Sequence, residues 1–240
     1  MSSTQDLLAQ SEPAGEQASL PAAIEVGGTS LPVWPEGQAV LSMSAPLMAM
    51  TQFSDAAAYH GALIDAALAA EHDPRFRDAL FKGGCGVKVR DVPAWGAPAA
   101  TLVHARALML AHRTVSRRPV FADTTWASVY RTGDYCMPHS HLRSNLSIVY
   151  MLDPGDGDPA DTMAGRLCFA DPRIDACCPH EPGRVTQHIV PEMIPGSMLI
   201  FASDYLHNVN PYQGSRPRIT MSWNVSLEKL PGRAGEGWSM

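Results

Sequence analysis

Arg218-Ile-Thr-Met-Ser-Trp-Asn-Val225 reads as a strand: it is rich in β-branched and aromatic residues, and its apolar and polar positions alternate. Residues two apart on a strand share a face, so Arg218, Thr220 and Ser222 point the same way. Working back from this run, Trp126-Ala-Ser-Val-Tyr130, Leu146-Ser-Ile-Val-Tyr-Met-Leu152, Leu167-Cys-Phe169, Val185-Thr-Gln-His-Ile-Val190 and Ser197-Met-Leu-Ile-Phe201 have the same character. Gly, Pro and Asp breaks separate them. Asp153-Pro-Gly-Asp-Gly-Asp-Pro-Ala-Asp161 is polar and turn-rich enough to be an exposed loop. From about residue 120 to 228 the pattern predicts an antiparallel sandwich or jelly roll.

Upstream the period changes. Residues 55–72 place apolar side chains at helical spacing with Asp55 as the expected N-cap, and residues from about 97 to 117 place Leu102, Ala105, Leu108, Met109 and His112 on one side of a second helix. Between them, Lys82-Gly-Gly-Cys-Gly86 reads as a turn and Val87-Lys-Val-Arg90 as a short strand. The Met-rich run 41–50 reads as core packing. Residues 1–32, rich in Gln, Ser, Glu, Ala and Pro, read as a disordered tail without the basic and apolar regions of a signal peptide. The expected organisation is therefore a single domain over 33–240, with helical support at about 55–118 and a β core at about 120–228.

A net charge of −6 with no basic stripe argues against a nucleic-acid partner, and no apolar stretch is long enough to cross a bilayer. Five cysteines, two of them adjacent at Cys177 and Cys178, do not form a disulfide framework, so a reducing cytoplasm is the expected compartment. The composition leaves room for a homodimer.

The chemistry is carried by histidines. His139 and His141 flank Ser140, His207 follows after 66 residues and Arg218 after 11 more. On an extended segment both imidazoles of the pair can reach one ion, and His207 follows the apolar strand introduced by Pro195-Gly196. Imidazole donors suit iron, zinc, copper or nickel. A guanidinium at Arg218 with a hydroxyl at Thr220 makes a fork and donor for a carboxylate. Metal and clamp together suit a small dicarboxylate that chelates the ion. Cys136 beside the pair, and Cys177, Cys178 and His180, lack the spacing of structural zinc sites. His60, His72, His104 and His112 fall on the helices and read as ordinary surface or partly buried residues, whereas His188 falls in a strand.

Five motifs in order carry a resemblance: His139-Ser-His141, Ser147-Ile-Val-Tyr150, Phe169-Ala-Asp-Pro-Arg173, Pro195-Gly196 through Phe201 to His207-Asn-Val-Asn-Pro-Tyr212, and Arg218-Ile-Thr-Met-Ser-Trp-Asn224. Over residues from about 120 to 228 the chain resembles the Fe(II)/2-oxoglutarate-dependent oxygenases, in particular a bacterial and phage group with a His-x-His motif. The resemblance implies a mainly β fold with supporting helices, the double-stranded β-helix or cupin-like jelly roll. It implies a dioxygenase that uses Fe(II), 2-oxoglutarate and O2 to hydroxylate a small-molecule or peptide substrate, releasing succinate and CO2. It further implies His139, His141 and His207 on the metal, with Arg218, Thr220 and Tyr130 on the cosubstrate. Tyr135, Arg143, Asn145 and Asn224 are candidates for the prime substrate. The wider superfamily has a carboxylate where this chain has His141, so either three histidines form the site or a carboxylate such as Asp134 or Asp171 completes it. The rival readings are a cupin-like three-histidine enzyme that does not use 2-oxoglutarate, and a binding module that has lost its metal.

Overall fold

Apart from residues 1–19, 40, 45–47, 79–85, 117, 142, 158–159, 171–187 and 230–240, the computed structural model describes the whole chain. The elements run β1 (Ala23–Val26), β2 (Thr29–Pro32), β3 (Leu41–Ser44), β4 (Met48–Gln52), α1 (His60–Glu71), β5 (Val87–Arg90), α2 (Pro98–Thr114), β6 (Phe121–Tyr130), β7 (Cys136–His139), β8 (Leu146–Asp153), β9 (Leu167–Ala170), β10 (His188–Ile189), β11 (Ser197–Ala202), β12 (His207–Val209) and β13 (Arg218–Ser226). Seven strands form one antiparallel sheet in the order β3-β4-β11-β8-β13-β6-β5. A smaller sheet has the order β10-β9-β12-β7.

Strict alternation divides the large sheet into two faces. Ala127, Val129, Ile148, Tyr150, Leu152, Met198, Ile200, Ile219, Met221, Trp223 and Val225 join Leu102, Leu108 and Leu110 of α2 and Leu63 of α1 in one buried cluster. On the other face Met48, Met151, Leu199 and Phe201 meet Leu167 and Phe169 of the small sheet. The two sheets thus close on each other with a core between them, as in a jelly roll, and the helices cover the back. Burial of each large side chain contributes roughly 1.5–3 kcal/mol, so the helix-side cluster is where most of the stability resides.

Three expectations change. The disordered tail predicted over residues 1–32 does not hold for Ala23–Pro32, which form a hairpin closed by Gly27 and Gly28, both at positive φ, a conformation glycine adopts without strain. Val26, Leu31 and Val33 are buried, and Arg106 of α2 donates to the carbonyls of Pro32 and Val33 at 2.8 and 3.2 Å. Asp55 makes no side-chain cap; its carboxylate instead receives two hydrogen bonds from the fully buried Arg106, at 2.9 and 2.6 Å. A buried guanidinium requires such a partner, and that requirement outweighs the value of a cap. The Met-rich run is not only core filler, since β3 and β4 extend the large sheet beyond β11. Residues 82–85 of the turn expected at 82–86, and Asp171, Cys177, Cys178 and His180, lie outside the described residues.

Candidate metal centre

His139 ends β7 and His207 begins β12, and the two stand directly opposite each other in the register of the small sheet. His141 lies just past β7, where its backbone N–H donates to the Ser203 carbonyl at 2.7 Å. The pair is therefore not held on one face of a continuous strand. A tether to the loop after β11 brings the second imidazole in. The ligand nitrogens of His139, His141 and His207 all lie within 4.8 Å of one another, and their ring centroids are 4.3–5.2 Å apart.

Hydrogen bonds orient the rings. His139 Nδ1 lies 2.8 Å from the Met137 carbonyl and His207 Nδ1 lies 2.8 Å from the Tyr205 carbonyl. A carbonyl only accepts, so both Nδ1 atoms carry the proton and both Nε2 lone pairs are free for a metal. Burial lowers the pKa of all three rings: His207 falls to about 4, while His141 falls to about 3 through burial and then the charges of His207, His139 and Lys88. At neutral pH the rings are uncharged, the form in which imidazole ligates. Phe169 and Phe201 wall His207 with centroids at 5.7 and 5.0 Å, and Trp126 lies 5.8 Å from His141.

Arg218 occupies the other end of the same cavity. It is 3 % exposed, its guanidinium sits 5.3 Å from the Tyr130 ring centroid, and its Nη1 has no hydrogen-bond partner among the described residues. Desolvation lowers the pKa of Arg218, yet a guanidinium stays charged in any protein interior, so an anion is the missing counterpart. Thr220, Ser222 and Asn224 follow on the same face of β13 and line the cavity with Ser128, Tyr130 and the three histidines. The residues present therefore suit a metal flanked by an anionic chelator.

The structure brings together His139, His141, His207, Arg218, Thr220, Tyr130 and Asn224. It does not place Tyr135, Arg143 or Asn145 among the residues lining this cavity. Arg143 and Asn145 are exposed, and Asn145 Oδ1 accepts the Leu227 N–H at 2.9 Å, so that side chain ties the start of β8 to the end of β13. Asp134 accepts the Arg131 N–H at 2.7 Å and stands outside the metal-competent cluster. Sequence reasoning missed Trp126, Lys88 and Phe201, which line the cavity, and Ser147, which supports it. Trp126 and Ser128 alternate with Tyr130 on β6, a signal that was readable. Lys88 arrives only through the β5–β6 pairing opposite Ser128.

Comparison with known proteins agrees with this geometry. Residues 124–224 match the family described as "Putative 2OG-Fe(II) oxygenase". No curated protein sequence matches. Among solved structures, EctD from S. alaskensis superposes with a TM-score of 0.56 at 16% identity, covering 87% of this chain and 82% of EctD. The non-heme α-ketoglutarate-dependent epimerase SnoN from nogalamycin biosynthesis gives 0.54 at 14% identity, covering 78% and 86%. A Pseudomonas putida prolyl-4-hydroxylase gives 0.52 at 17% identity, covering 74% and 92%. These likenesses show the shared double-stranded β-helix fold. The matched segment contains all three histidines, Arg218 and most of the strand that carries it, and over that segment the chain is similar to the 2OG-Fe(II) oxygenases.

Proposed function

We propose that this dioxygenase hydroxylates a small-molecule or peptide substrate, with His139, His141 and His207 holding Fe(II) and Arg218 holding 2-oxoglutarate. The observation that carries the reading is the buried, unpartnered Nη1 of Arg218 at the far end of the histidine cavity. A buried cation left without an anion is costly, so its presence there points to a carboxylate that completes it. Thr220 adds a hydroxyl donor two residues on, and the Tyr130 ring packs the guanidinium into place.

Bound at these groups, Fe(II) and 2-oxoglutarate supply oxygen activation coupled to release of CO2 and succinate. The chain's own residues fix geometry. Met137 and Tyr205 carbonyls hold two imidazoles with Nε2 toward the centre, while Phe169, Phe201 and Trp126 exclude water. Three neutral imidazoles leave the metal's full charge in the cavity, which strengthens its attraction for a dianionic chelator. The prime substrate enters beside Trp126, Thr124, Met137 and Lys88, where a second hollow opens onto His139 and His141. Hydroxylation is the outcome proposed, although an epimerase shares the fold. Among the described residues no helix is long and apolar enough to cross a membrane. The proposed enzyme acts on no nucleic acid and works as one domain that includes the β1–β2 hairpin, with a cytoplasmic location and a homodimer allowed.

Calorimetric titration of 2-oxoglutarate into anaerobic, Fe(II)-loaded protein tests the reading, run beside Arg218→Ala and metal-free protein. Metal-dependent binding that Arg218→Ala weakens is the expected result. Metal binding without 2-oxoglutarate binding overturns it in favour of a cupin-like three-histidine enzyme. The specific observation behind that second reading is that no carboxylate joins the histidine cluster among the described residues.

A further inference from the structure

The three imidazoles are not held alike. His139 and His207 each face a backbone carbonyl through Nδ1, which fixes a single tautomer. His141 Nδ1 faces the side-chain amide of Asn224, with Nδ2 at 3.2 Å. Asn224 Oδ1 in turn accepts from Ser147 Oγ at 3.1 Å, and Ser147 Oγ meets Ser203 Oγ at 2.9 Å. Ser147 and Ser203 are 3 % and 1 % exposed. The backbone carbonyl of Ser203 takes the His141 N–H, so one small network grips this histidine by both backbone and ring.

An amide can present either end to the ring. With Nδ2 toward His141 it donates to Nδ1, which places the ring proton on Nε2 and removes that lone pair from the centre. With Oδ1 toward His141 it accepts from Nδ1–H and leaves Nε2 free to ligate. The network tolerates both, because the Ser147 hydroxyl accepts from Nδ2 as readily as it donates to Oδ1, and Ser203 can answer either way. We propose that Asn224 is a positioning residue that sets the tautomer of His141, and that its carbonyl end, turned toward Nδ1–H, makes His141 the third metal ligand. This rests on the three-histidine reading of the metal centre and assigns Asn224 a task other than contact with the prime substrate. A carbonyl partner also raises the basicity of the ligating nitrogen, which matters most where imidazole stands in place of a carboxylate.

The test uses Zn(II) as a diamagnetic probe in the full chain. Long-range ¹H–¹⁵N spectra of the histidine rings report which nitrogen carries the proton, and competition with a chelating dye reports affinity. In Zn(II)-loaded wild-type protein His141 is expected to be protonated at Nδ1, like His139 and His207. Asn224→Leu, which removes both ends of the amide, is expected to weaken Zn(II) binding by about 10–100-fold. Asn224→Asp, which can only accept, is expected to retain wild-type affinity or exceed it and to hold the Nδ1–H form; a merely structural asparagine would give no such rescue. Circular dichroism confirms that each variant is folded, and the Asn224→Asp result stands on its own should Asn224→Leu fail to fold. Asn224→Leu affinity within threefold of wild type, Asn224→Asp affinity as low as that of Asn224→Leu, or His141 protonated at Nε2 in the Zn(II) form would each overturn the proposal. Failure of 2-oxoglutarate to bind a protein that passes these tests counts against the oxygenase reaction and not against this assignment.

Discussion

Along β13, Ile219, Met221, Trp223 and Val225 enter the core under the helices, whereas Arg218, Thr220, Ser222 and Asn224 line the histidine cavity. Burial does not separate the two sets, since Trp223 is 0 % exposed and Arg218 only 3 %. Partnership and surroundings do. The Trp223 indole N–H donates to His104 Nδ1 at 3.0 Å in close apolar packing, while Arg218 Nη1 has no partner among the described residues and borders a hollow. A buried polar group that is satisfied marks architecture, and one that faces a cavity unsatisfied marks a place for a ligand. His104 Nε2, also without a partner among the described residues, refines the rule: it does not line either hollow beside the histidines, so it is a cost of the core.

The sharpest way to break this contrast is to truncate both faces. Trp223→Ala should destabilise the fold by about 3–5 kcal/mol through the cavity it leaves, read as a lower denaturant midpoint. Next comes pH. Burial holds His104 at about 4 in the folded chain, below the ordinary histidine value, so its contribution to stability is fully present above about pH 6.5 and is lost as pH falls toward 4. A shift of that size corresponds to about 3 kcal/mol. His104→Gln retains an acceptor for Trp223 but cannot titrate, and denaturation curves between pH 4 and 7 should show a shallower loss; an unchanged slope would remove His104 from the account. Arg218→Ala should weaken 2-oxoglutarate binding by about a hundredfold, as expected for a lost charged hydrogen-bonding partner, while leaving stability equal or higher. A large drop in stability would erase the distinction between the faces. The smallest expected effect is for Thr220→Val, an isosteric loss of one hydroxyl: a few-fold weaker cosubstrate affinity, with stability within about 1 kcal/mol.

What was legible in the sequence was local. Strand alternation named the face of β13 that carries Arg218, Thr220 and Ser222, and the order of histidines and arginine named the cavity. The Gly27-Gly28 pair was a readable hairpin signal that the polar composition around it concealed. Other features depend on contacts between distant segments. Asp55 looks like a cap until Arg106, 51 residues away, claims it. His104 looks like a surface histidine on an amphipathic helix until β13 places Trp223 against it. Arg143 and Asn145 lie close to His141 in sequence, yet the chain turns outward at once, and spacing alone does not register that turn.

Arg218 and Asn224 sit on one strand, six residues apart, or about 20 Å at the usual rise. Pairing irregularities fall beside both of them, between Ile219 and Thr220 against β8 and between Asn224 and Val225 against β6. The strand therefore acts as a measuring rod graduated in steps of two. A single inserted or deleted residue between those points would exchange the two faces at once, driving Trp223 into the cavity and a polar neighbour into the core. Descendants of this sequence can resize the gap between the histidines and Arg218 by exchanging side chains, but hardly by changing length, and any redesign of the cavity for a longer or shorter ligand inherits that restriction.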